Sequence, residues 1–334
     1  MNKNNSDKNE SSKQKYAGRR EILQGISVSV CGVLLAACAK QKYPTNNAQT
    51  EATEVEQYMK THFISFDKEM LIEPKGYIDW LKENVFKHGE LDNLPKHAVI
   101  LHDAKVEQHL QRLGFTDSQY RELQTGSTDP NLLYVVKRNN GSDFILNRGL
   151  PGSGGIATQA AELYALGVES IIHIGTCGLI GDATEYGLPI ISKCAYKDSA
   201  ALMLSVLESN EINILAYPSK ELNKKIQKEF GDGKYTEAIG YTIPIYYFQP
   251  KDLLEELIIG EFYSNKPRPS YIEMEAASLF ETAKLMKTHA ASLVVGADRY
   301  TFKDGNIMHE FYDVDSDAVK SLMFEISLRT FDTT

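Results

Sequence analysis

The stretch Tyr271-Ile-Glu-Met-Glu-Ala-Ala-Ser-Leu-Phe280 carries two carboxylates two residues apart, Glu273 and Glu275, with Met274 between them. The small and apolar residues that follow recur at helical spacing and predict a helix. A helix dipole favours carboxylates at its start, so one interpretation is a charged first turn. The other is a ligand site, because an ionised carboxylate can accept from two adjacent hydroxyls, as a ribose diol requires. Met274 favours the second interpretation, since a plain cap needs no large flexible apolar group.

About twenty residues further on, the apolar run 291–296 predicts a buried strand that ends at Ala297-Asp298-Arg299. A carboxyl group in a partly closed site can keep a proton near neutral pH and act as an acid, which makes Asp298 a candidate catalytic residue. The alternative is an ion pair between Asp298 and Arg299 at the surface.

Upstream, residues 170–174 predict a strand that ends at the turn Gly175-Thr176-Cys177-Gly178. Backbone N–H groups and the Thr176 hydroxyl could bind an oxyanion there. Residues 97–101 predict another buried strand, which leads into His102-Asp103-Ala104-Lys105. The glycine-rich turn at 149–155 precedes an alanine-rich helix; we interpret it as structural, with backbone contacts to a substrate as a further possibility.

The sequence Glu-Met-Glu-Ala-Ala-Ser-Leu-Phe at 273–280 resembles the ribose-binding motif of the nucleoside phosphorylase family, which contains uridine phosphorylase and the hexameric purine nucleoside phosphorylases. Ile-Ile-His-Ile-Gly-Thr-Cys-Gly at 171–178 resembles the phosphate-site strand and turn of that family. The resemblance covers roughly residues 96–331. It implies an α/β fold, a three-layer α/β/α sandwich with a central mixed, partly barrel-like β-sheet.

The resemblance also implies roles for individual residues. Ribose would be bound by Glu273, Met274 and Glu275, and the base by Phe248 and Gln249. Catalysis at the base would fall to Asp298 and Arg299. Phosphate or water would be bound by Thr176, Gly175, His173, His102 and Lys105. A buried edge strand of aromatic residues is the alternative for Phe248 and Gln249, and an ordinary loop histidine is the alternative for His102.

This chain departs from the family pattern where phosphate is bound. The family has Gly-Asp-Pro followed by an arginine, whereas here His102 and Ala104 flank Asp103 and the nearest cation is Lys105. A second family arginine is replaced by His173. A neutral imidazole is a poor substitute for a guanidinium fork, so two expected phosphate ligands are missing together.

The resemblance implies an enzyme, a pentosyltransferase that cleaves the N-glycosidic bond of a nucleoside by phosphorolysis and gives free base and ribose 1-phosphate. One alternative is a nucleosidase that uses water activated by His102, Asp103 or His173. Another is a non-catalytic nucleoside-binding lipoprotein. Phosphate would be a co-substrate and no cofactor is expected. The family also implies a homo-oligomer, a dimer or a hexamer.

The N-terminus predicts export. Residues 1–38 have a charged front, an apolar middle and a small-residue end, as in a secretory signal. Leu35-Ala-Ala-Cys38 resembles a bacterial lipoprotein cleavage box with Cys38 lipidated, and Arg19-Arg20 resembles a twin-arginine signal. We therefore expect a membrane-anchored lipoprotein that faces the periplasm or the cell exterior. Residues 39–53 would be a tether, 54–95 a helical extension and 96–334 the main domain.

Composition and cysteine spacing limit the partners and the kinds of site that we expect. The chain has 334 residues and a formal net charge of −9, which argues against nucleic acid as a partner. Its four cysteines have no spacing typical of a metal site or a disulfide framework. Cys177 and Cys194, outside the signal, are expected to be buried free thiols.

Overall fold

The computed structural model describes residues 72–87, 89–124, 132–182, 184–208, 213–247, 249–260, 266–311 and 316–333. The predicted signal, the tether and the first part of the helical extension therefore lie outside the described residues. Eight α-helices and eleven strands occur in the described part of the chain.

The helices are α1 (Pro74–Asn84), α2 (Val106–Arg112), α3 (Ser153–Ala165), α4 (Ser199–Glu208), α5 (Lys220–Phe230), α6 (Lys251–Ile259), α7 (Ala276–Leu285) and α8 (Ser316–Asp332). The strands are β1 (His97–Leu101), β2 (Tyr120–Gln124), β3 (Leu132–Val136), β4 (Phe144–Arg148), β5 (Ser170–Ile180), β6 (Ile190–Tyr196), β7 (Leu215–Ala216), β8 (Thr236–Thr242), β9 (Tyr271–Glu273), β10 (His289–Lys303) and β11 (Asn306–Phe311).

The strands form one mixed sheet that partly closes on itself. Its order is β11-β10-β6-β8-β9-β5-β1-β4-β3-β2, and β10 also pairs with β5. The ring β10-β6-β8-β9-β5 is therefore a closed five-stranded barrel, and the remaining strands of the path extend from it. This confirms the predicted mixed, partly barrel-like sheet.

Helices cover both faces of the sheet, because side chains alternate along each strand. On β1, Ala98 and Ile100 belong to one core cluster, with residues of α1, α3, α4 and α7. Val99 and Leu101 belong to the other, with residues of α2, α5 and α8. The predicted three-layer α/β/α arrangement is thus confirmed.

Helix α1 is the described helix of the N-terminal extension, and it packs on the main domain. Ile78 and Leu81 are buried in the same core cluster as Ile156 and Leu163 of α3. Trp80 stays half exposed and its ring stacks on that of Tyr77.

Strand β5 is longer than the sequence predicts. We expected it to end at Ile174, but it continues to Ile180 through the predicted turn. The reason is pairing on both sides: β10 follows β5 along its length, and β9 pairs with Gly178 and Leu179. Gly178 is needed there because a Cβ would come within 2.6 Å of the Tyr300 ring. The prediction of a turn at 175–178 is therefore wrong.

Cys177 and Cys194 are free and buried, as predicted. Within the described ranges, every helix is too short or too polar to cross a membrane.

Candidate functional site

The site lies at a gap in strand pairing along the edge of β5 that is opposite β10. Strand β1 pairs with β5 as far as Ile174, and β9 pairs with it from Gly178 onward. Between them, no strand of the described residues pairs with this edge at 175–177. The backbone groups at the carboxyl end of β1 and in the middle of β5 therefore face a gap in the sheet, which is where open α/β sheets bind ligands.

Glu273 is used to begin helix α7. Its Oε2 accepts hydrogen bonds from the backbone N–H groups of Glu275 and Ala276, both at 2.7 Å. Its Oε1 accepts from the Thr242 hydroxyl, which in turn accepts from the Ala277 N–H at 3.1 Å. The Glu273 side chain thus satisfies backbone N–H groups at the start of α7.

Glu275 is held differently. Its Oε1 accepts from the Gly152 N–H at 2.9 Å, and its Oε2 from the Met274 N–H at 3.2 Å. The same Oε1 lies 3.8 Å from His102 Nε2. Burial raises the pKa of Glu275 above its usual range, and burial together with the charge of Glu275 raises that of Glu273. Each Glu275 oxygen has one backbone donor, so lone pairs remain for a ligand.

The glycine-rich turn holds Glu275 and Met274 together. Gly152 has φ 85° and ψ 162°, a backbone conformation open essentially only to glycine. This conformation directs its N–H to Glu275, while the next residue, Ser153, donates its hydroxyl to the Met274 carbonyl at 3.0 Å. The turn predicted as structural thus positions the central motif.

His102 and His173 lie in direct contact. His102 Nδ1 is 2.9 Å from His173 Nε2, and the rings meet edge to face. Burial lowers the pKa of His102, and burial followed by the proximity of His102 lowers that of His173 well below its ordinary value. Both imidazoles are therefore neutral near pH 7, and neither supplies the fixed positive charge of an arginine.

Two other residues predicted to bind phosphate or water, Gly175 and Thr176, lie on β5 at this gap. Thr176 has an exposed side chain and Gly175 is buried next to it on β5. Lys105, at the start of α2, is exposed. The Asp103 carboxylate accepts hydrogen bonds from residues outside this gap. Burial alone would raise its pKa, but hydrogen bonds from Lys320, Lys105 N–H and His109 hold the pKa well below its usual range.

Asp298 and Arg299 are on opposite faces of β10, as neighbours in a strand must be. Asp298 Oδ2 lies 2.6 Å from His309 Nε2, across the β10–β11 hairpin. The His309 ring stacks on Tyr300 at 4.5 Å between centroids. Burial raises the pKa of Cys177, and the charges of Glu273 and Asp298 add to this, so both carboxylates act on the same part of the barrel.

Arg299 fastens the loop after β5. It donates to the Asp182 carboxylate at 3.2 Å and to the Thr184 carbonyl at 2.5 Å. Its guanidinium also lies 4.3 Å from the centre of the Tyr186 ring. Asp298 and Arg299 therefore do not form the surface ion pair that was the alternative prediction.

Of the two predicted base-binding residues, Phe248 lies outside the described residues. Gln249 donates its side-chain amide to the carbonyls of Ile245 and Tyr246 in its own loop. Tyr246 and Tyr247 are exposed beside it, with rings 5.0 Å apart. Burial raises the pKa of Tyr246, and the charge of Asp298 adds to this rise.

Three residues of the site were missed from the sequence: Thr242, Ser292 and His309. Ser292 donates to or accepts from His173 Nδ1 at 2.9 Å and is fully buried. A lone hydroxyl inside the apolar run 290–295 was a usable signal, because buried hydroxyls need a partner. Thr242 and His309 gave no such signal, since their partners are distant in sequence.

The fold is shared with solved nucleoside phosphorylases. Purine nucleoside phosphorylase from Toxoplasma gondii, solved with immucillin-H, superposes with a TM-score of 0.56 at 16% identity, over 73% of this chain and 92% of that one. Uridine phosphorylase from Vibrio fischeri ES114 gives 0.55 at 15% identity, over 73% and 95%. No family model and no curated protein sequence matches the chain.

Proposed function

We propose that this protein cleaves the N-glycosidic bond of a ribonucleoside by phosphorolysis, releasing the base and ribose 1-phosphate. The observation that carries the proposal is Glu275. Its carboxylate is buried at the open edge of the barrel and fixed by two backbone N–H groups, in a fold shared with nucleoside phosphorylases.

Glu275 accepts hydrogen bonds from the ribose 2′- and 3′-hydroxyls. A carboxylate offers about four lone-pair sites, and here two are used by the protein. Met274 lies between the two glutamates and is partly buried against the apolar cluster of Ile272 and Tyr300, so it supplies an apolar contact to the sugar. Glu273 acts indirectly, since its oxygens hold the start of α7.

Phosphate enters at the open edge of β5. Thr176 and the backbone groups at 175–177 donate to it, and Lys105 supplies a positive charge. One phosphate oxygen bonds to the sugar carbon C1′ while the C1′–N bond breaks and its electron pair leaves with the base. The developing positive charge on the ribose ring lies near the Glu275 carboxylate.

The base leaves on the side of Asp298. A leaving nitrogen needs a proton or charge stabilisation, and the hydrogen-bonded Asp298–His309 pair can transfer one proton to it. The neighbouring Tyr246 and Tyr247 rings offer surfaces on which a base can stack.

Hydrolysis is the second candidate, favoured by one observation. Of the two phosphate-binding arginines of the resembled family, one is missing here and the other is replaced by His173, a neutral histidine in contact with a second one, His102. A neutral site beside Glu275 suits water better than a phosphate dianion, because fixed charge is what pays for anion desolvation.

Base release from uridine, inosine and adenosine, with and without phosphate, separates these functions. Release that requires phosphate and yields a sugar phosphate supports phosphorolysis. Release at equal rates without phosphate supports hydrolysis. Ribonucleoside binding with no release would leave a binding protein and remove both enzymatic proposals.

We also propose that a lipid on Cys38 anchors the protein to a bacterial membrane. Cys38→Ser removes the only acceptor in the predicted cleavage box, so the variant should appear in the soluble fraction. Membrane attachment of that variant equal to wild type would contradict the anchor.

A further inference from the structure

A continuous chain of hydrogen bonds crosses the site from the barrel interior to the glycine-rich turn. Ser292 Oγ on β10 is 2.9 Å from His173 Nδ1 on β5. His173 Nε2 is 2.9 Å from His102 Nδ1, and His102 Nε2 is 2.9 Å from the Leu150 carbonyl oxygen. Four segments that are far apart in sequence are thus linked through two imidazole rings.

The far end of the chain fixes the direction of every bond. A carbonyl oxygen only accepts, so His102 Nε2 carries the hydrogen. Neutral His102 then has a lone pair on Nδ1, and His173 must donate to it from Nε2. This leaves a lone pair on His173 Nδ1, which accepts from the Ser292 hydroxyl. Both rings are consequently in the same tautomer, with hydrogen on Nε2.

The surroundings keep both rings neutral. His173 is fully buried, and the side chain of His102 is only 15% exposed. The charged groups that act on His102 are of both signs: the Glu273 and Glu275 carboxylates and the Lys320 ammonium. All four ring nitrogens take part in these three hydrogen bonds, so neither ring offers a free lone pair to phosphate or to a cation.

This series of hydrogen bonds ends at the glycine-rich turn, the segment that binds Glu275. Leu150 receives His102 on its carbonyl, and its N–H donates to Gln159 Oε1 at 2.8 Å. Two residues later, the Gly152 N–H donates to Glu275 Oε1 at 2.9 Å. The close approach is built in, because a Cβ on Gly149 would lie 2.5 Å from the His102 ring.

We propose that Ser292 and His173 are positioning residues of the nucleoside site: they fix the His102 tautomer, which holds the Leu150 carbonyl and thereby aims the Gly152 N–H and Glu275. This inference rests on the proposed function for the role of Glu275. It assigns the two histidines to orientation of the ribose ligand instead of to binding of the phosphate.

Loss of the Ser292 hydroxyl has a specific consequence. His173 Nδ1 then has no donor, so the arrangement with hydrogen on Nε2 loses one of its three hydrogen bonds, and the His173 tautomer with hydrogen on Nδ1 becomes more populated. Its Nε2 would accept from His102 Nδ1, leaving a lone pair on His102 Nε2 opposite the lone pairs of the Leu150 oxygen. That repulsion releases the turn, and Glu275 loses its alignment with the diol.

The first experiment reads the tautomers directly, by nitrogen NMR of histidine-labelled full-length protein in detergent, with assignments from His102→Gln and His173→Gln. At pH 7.5 we expect both rings neutral with hydrogen on Nε2. Hydrogen on His173 Nδ1 would overturn the proposal. So would a change in these nitrogen signals on adding Zn²⁺ or phosphate, since that would show free lone pairs at work.

The second experiment compares Ser292→Ala with Ser292→Thr, which keeps the hydroxyl, and with Ser327→Ala as a control. Ser327 is equally buried, and its hydroxyl bonds only within α8, to the Met323 carbonyl. Ser292→Ala should weaken ribonucleoside binding about tenfold, the value of one aligned hydrogen bond. It should leave binding of a 2′,3′-dideoxynucleoside unchanged, because that ligand lacks the diol.

Equal losses for both ligands, or equal losses in Ser327→Ala, would contradict a positioning role and indicate general destabilisation. Failure of Ser292→Thr to restore more binding than Ser292→Ala would contradict it as well. If the tautomers are as expected but wild type binds no ribonucleoside, the proposed function is wrong. The positioning role is then wrong too, whereas the description of the hydrogen bonds remains correct.

Discussion

Two residues of the same type, two positions apart, have different roles because their carboxylates accept hydrogen bonds from different parts of the backbone. Glu273 is the last residue of β9 and reaches over the start of α7, where it collects three donors. Glu275 lies two residues further on, and its two donors are the backbone N–H groups of Gly152, in the glycine-rich turn, and of Met274. The first is expected to matter for stability and the second for ligand binding.

Matched glutamine substitutions test this division. Glu275→Gln should weaken ribonucleoside binding about 10- to 100-fold, since hydrogen bonds to a charged group contribute about 1.5–3 kcal/mol. Glu273→Gln should instead lower the free energy of unfolding by about 1–3 kcal/mol, because an amide cannot accept from two N–H groups and a hydroxyl as a carboxylate does. Calorimetric titration and urea unfolding of both variants measure the two effects, and nucleoside affinity intact in Glu275→Gln would contradict the assignment.

Glu162 on α3 should make stability depend on pH. It is buried, one oxygen has no hydrogen-bond partner among the described residues, and burial raises its pKa to about 7. A raised folded-state pKa stabilises the fold below the unfolded value of about 4.3, and that contribution is lost as pH rises through about 7.

Glu162→Gln removes this titration. The variant should gain about 1–2 kcal/mol relative to wild type between pH 5 and pH 8, less than the full pKa shift would give because solvent partly screens the carboxylate. The Glu273–Glu275 pair titrates in both proteins and cancels in the difference. Urea unfolding at the two pH values measures it; a difference between the proteins that does not change with pH would show that Glu162 is ionised throughout.

At the scale of elements, the turn between β4 and α3 is the part most sensitive to substitution. Gly152 has a glycine-only conformation and its N–H holds Glu275, whereas Gly154, two residues later in the first turn of α3, has open space around it. The same change at these two glycines should therefore have opposite effects.

Gly152→Ala should lower the free energy of unfolding by about 1–3 kcal/mol through backbone strain and weaken ribonucleoside binding. Gly154→Ala should raise it by about 0.5–1 kcal/mol, because alanine loses less conformational entropy in a helix. Thermal unfolding and nucleoside titration of both variants give the comparison. Similar behaviour of the two would mean that the turn is not anchored as described.

Local sequence patterns predict where strands occur better than they predict where each strand ends. The sequence alone identifies β1 with its observed bounds, because a short apolar run marks it. It does not predict that β5 and β10 continue through glycines and past Asp298, since only pairing between distant strands shows this. For the same reason, spacing in the sequence does not predict that Thr242 is the partner of Glu273 or that Ser292 is the partner of His173.

At the scale of the whole molecule, one pairing closes the barrel and creates the site. Strands β5 and β10 pair in parallel from His289 to Tyr300, which completes the ring and brings Ser292 to His173 and Asp298 to Gly178. The open edge of β5 at 175–177 then faces the turn that carries Leu150 and Gly152. The motif at 273–280 indicated this architecture through its resemblance to a known family, whereas the hydrogen bond between His102 and His173 could be found only in the folded chain.

The most direct measurement of the central claim is a time course of base release from uridine, inosine and adenosine in phosphate buffer, with full-length wild type beside Glu275→Gln and sugar phosphate followed in the same samples. We expect free base and ribose 1-phosphate in equal amounts from at least one nucleoside with wild type, and a rate at least tenfold lower with the variant. Equal rates for the two proteins, or no release of base from any of the three, would contradict it.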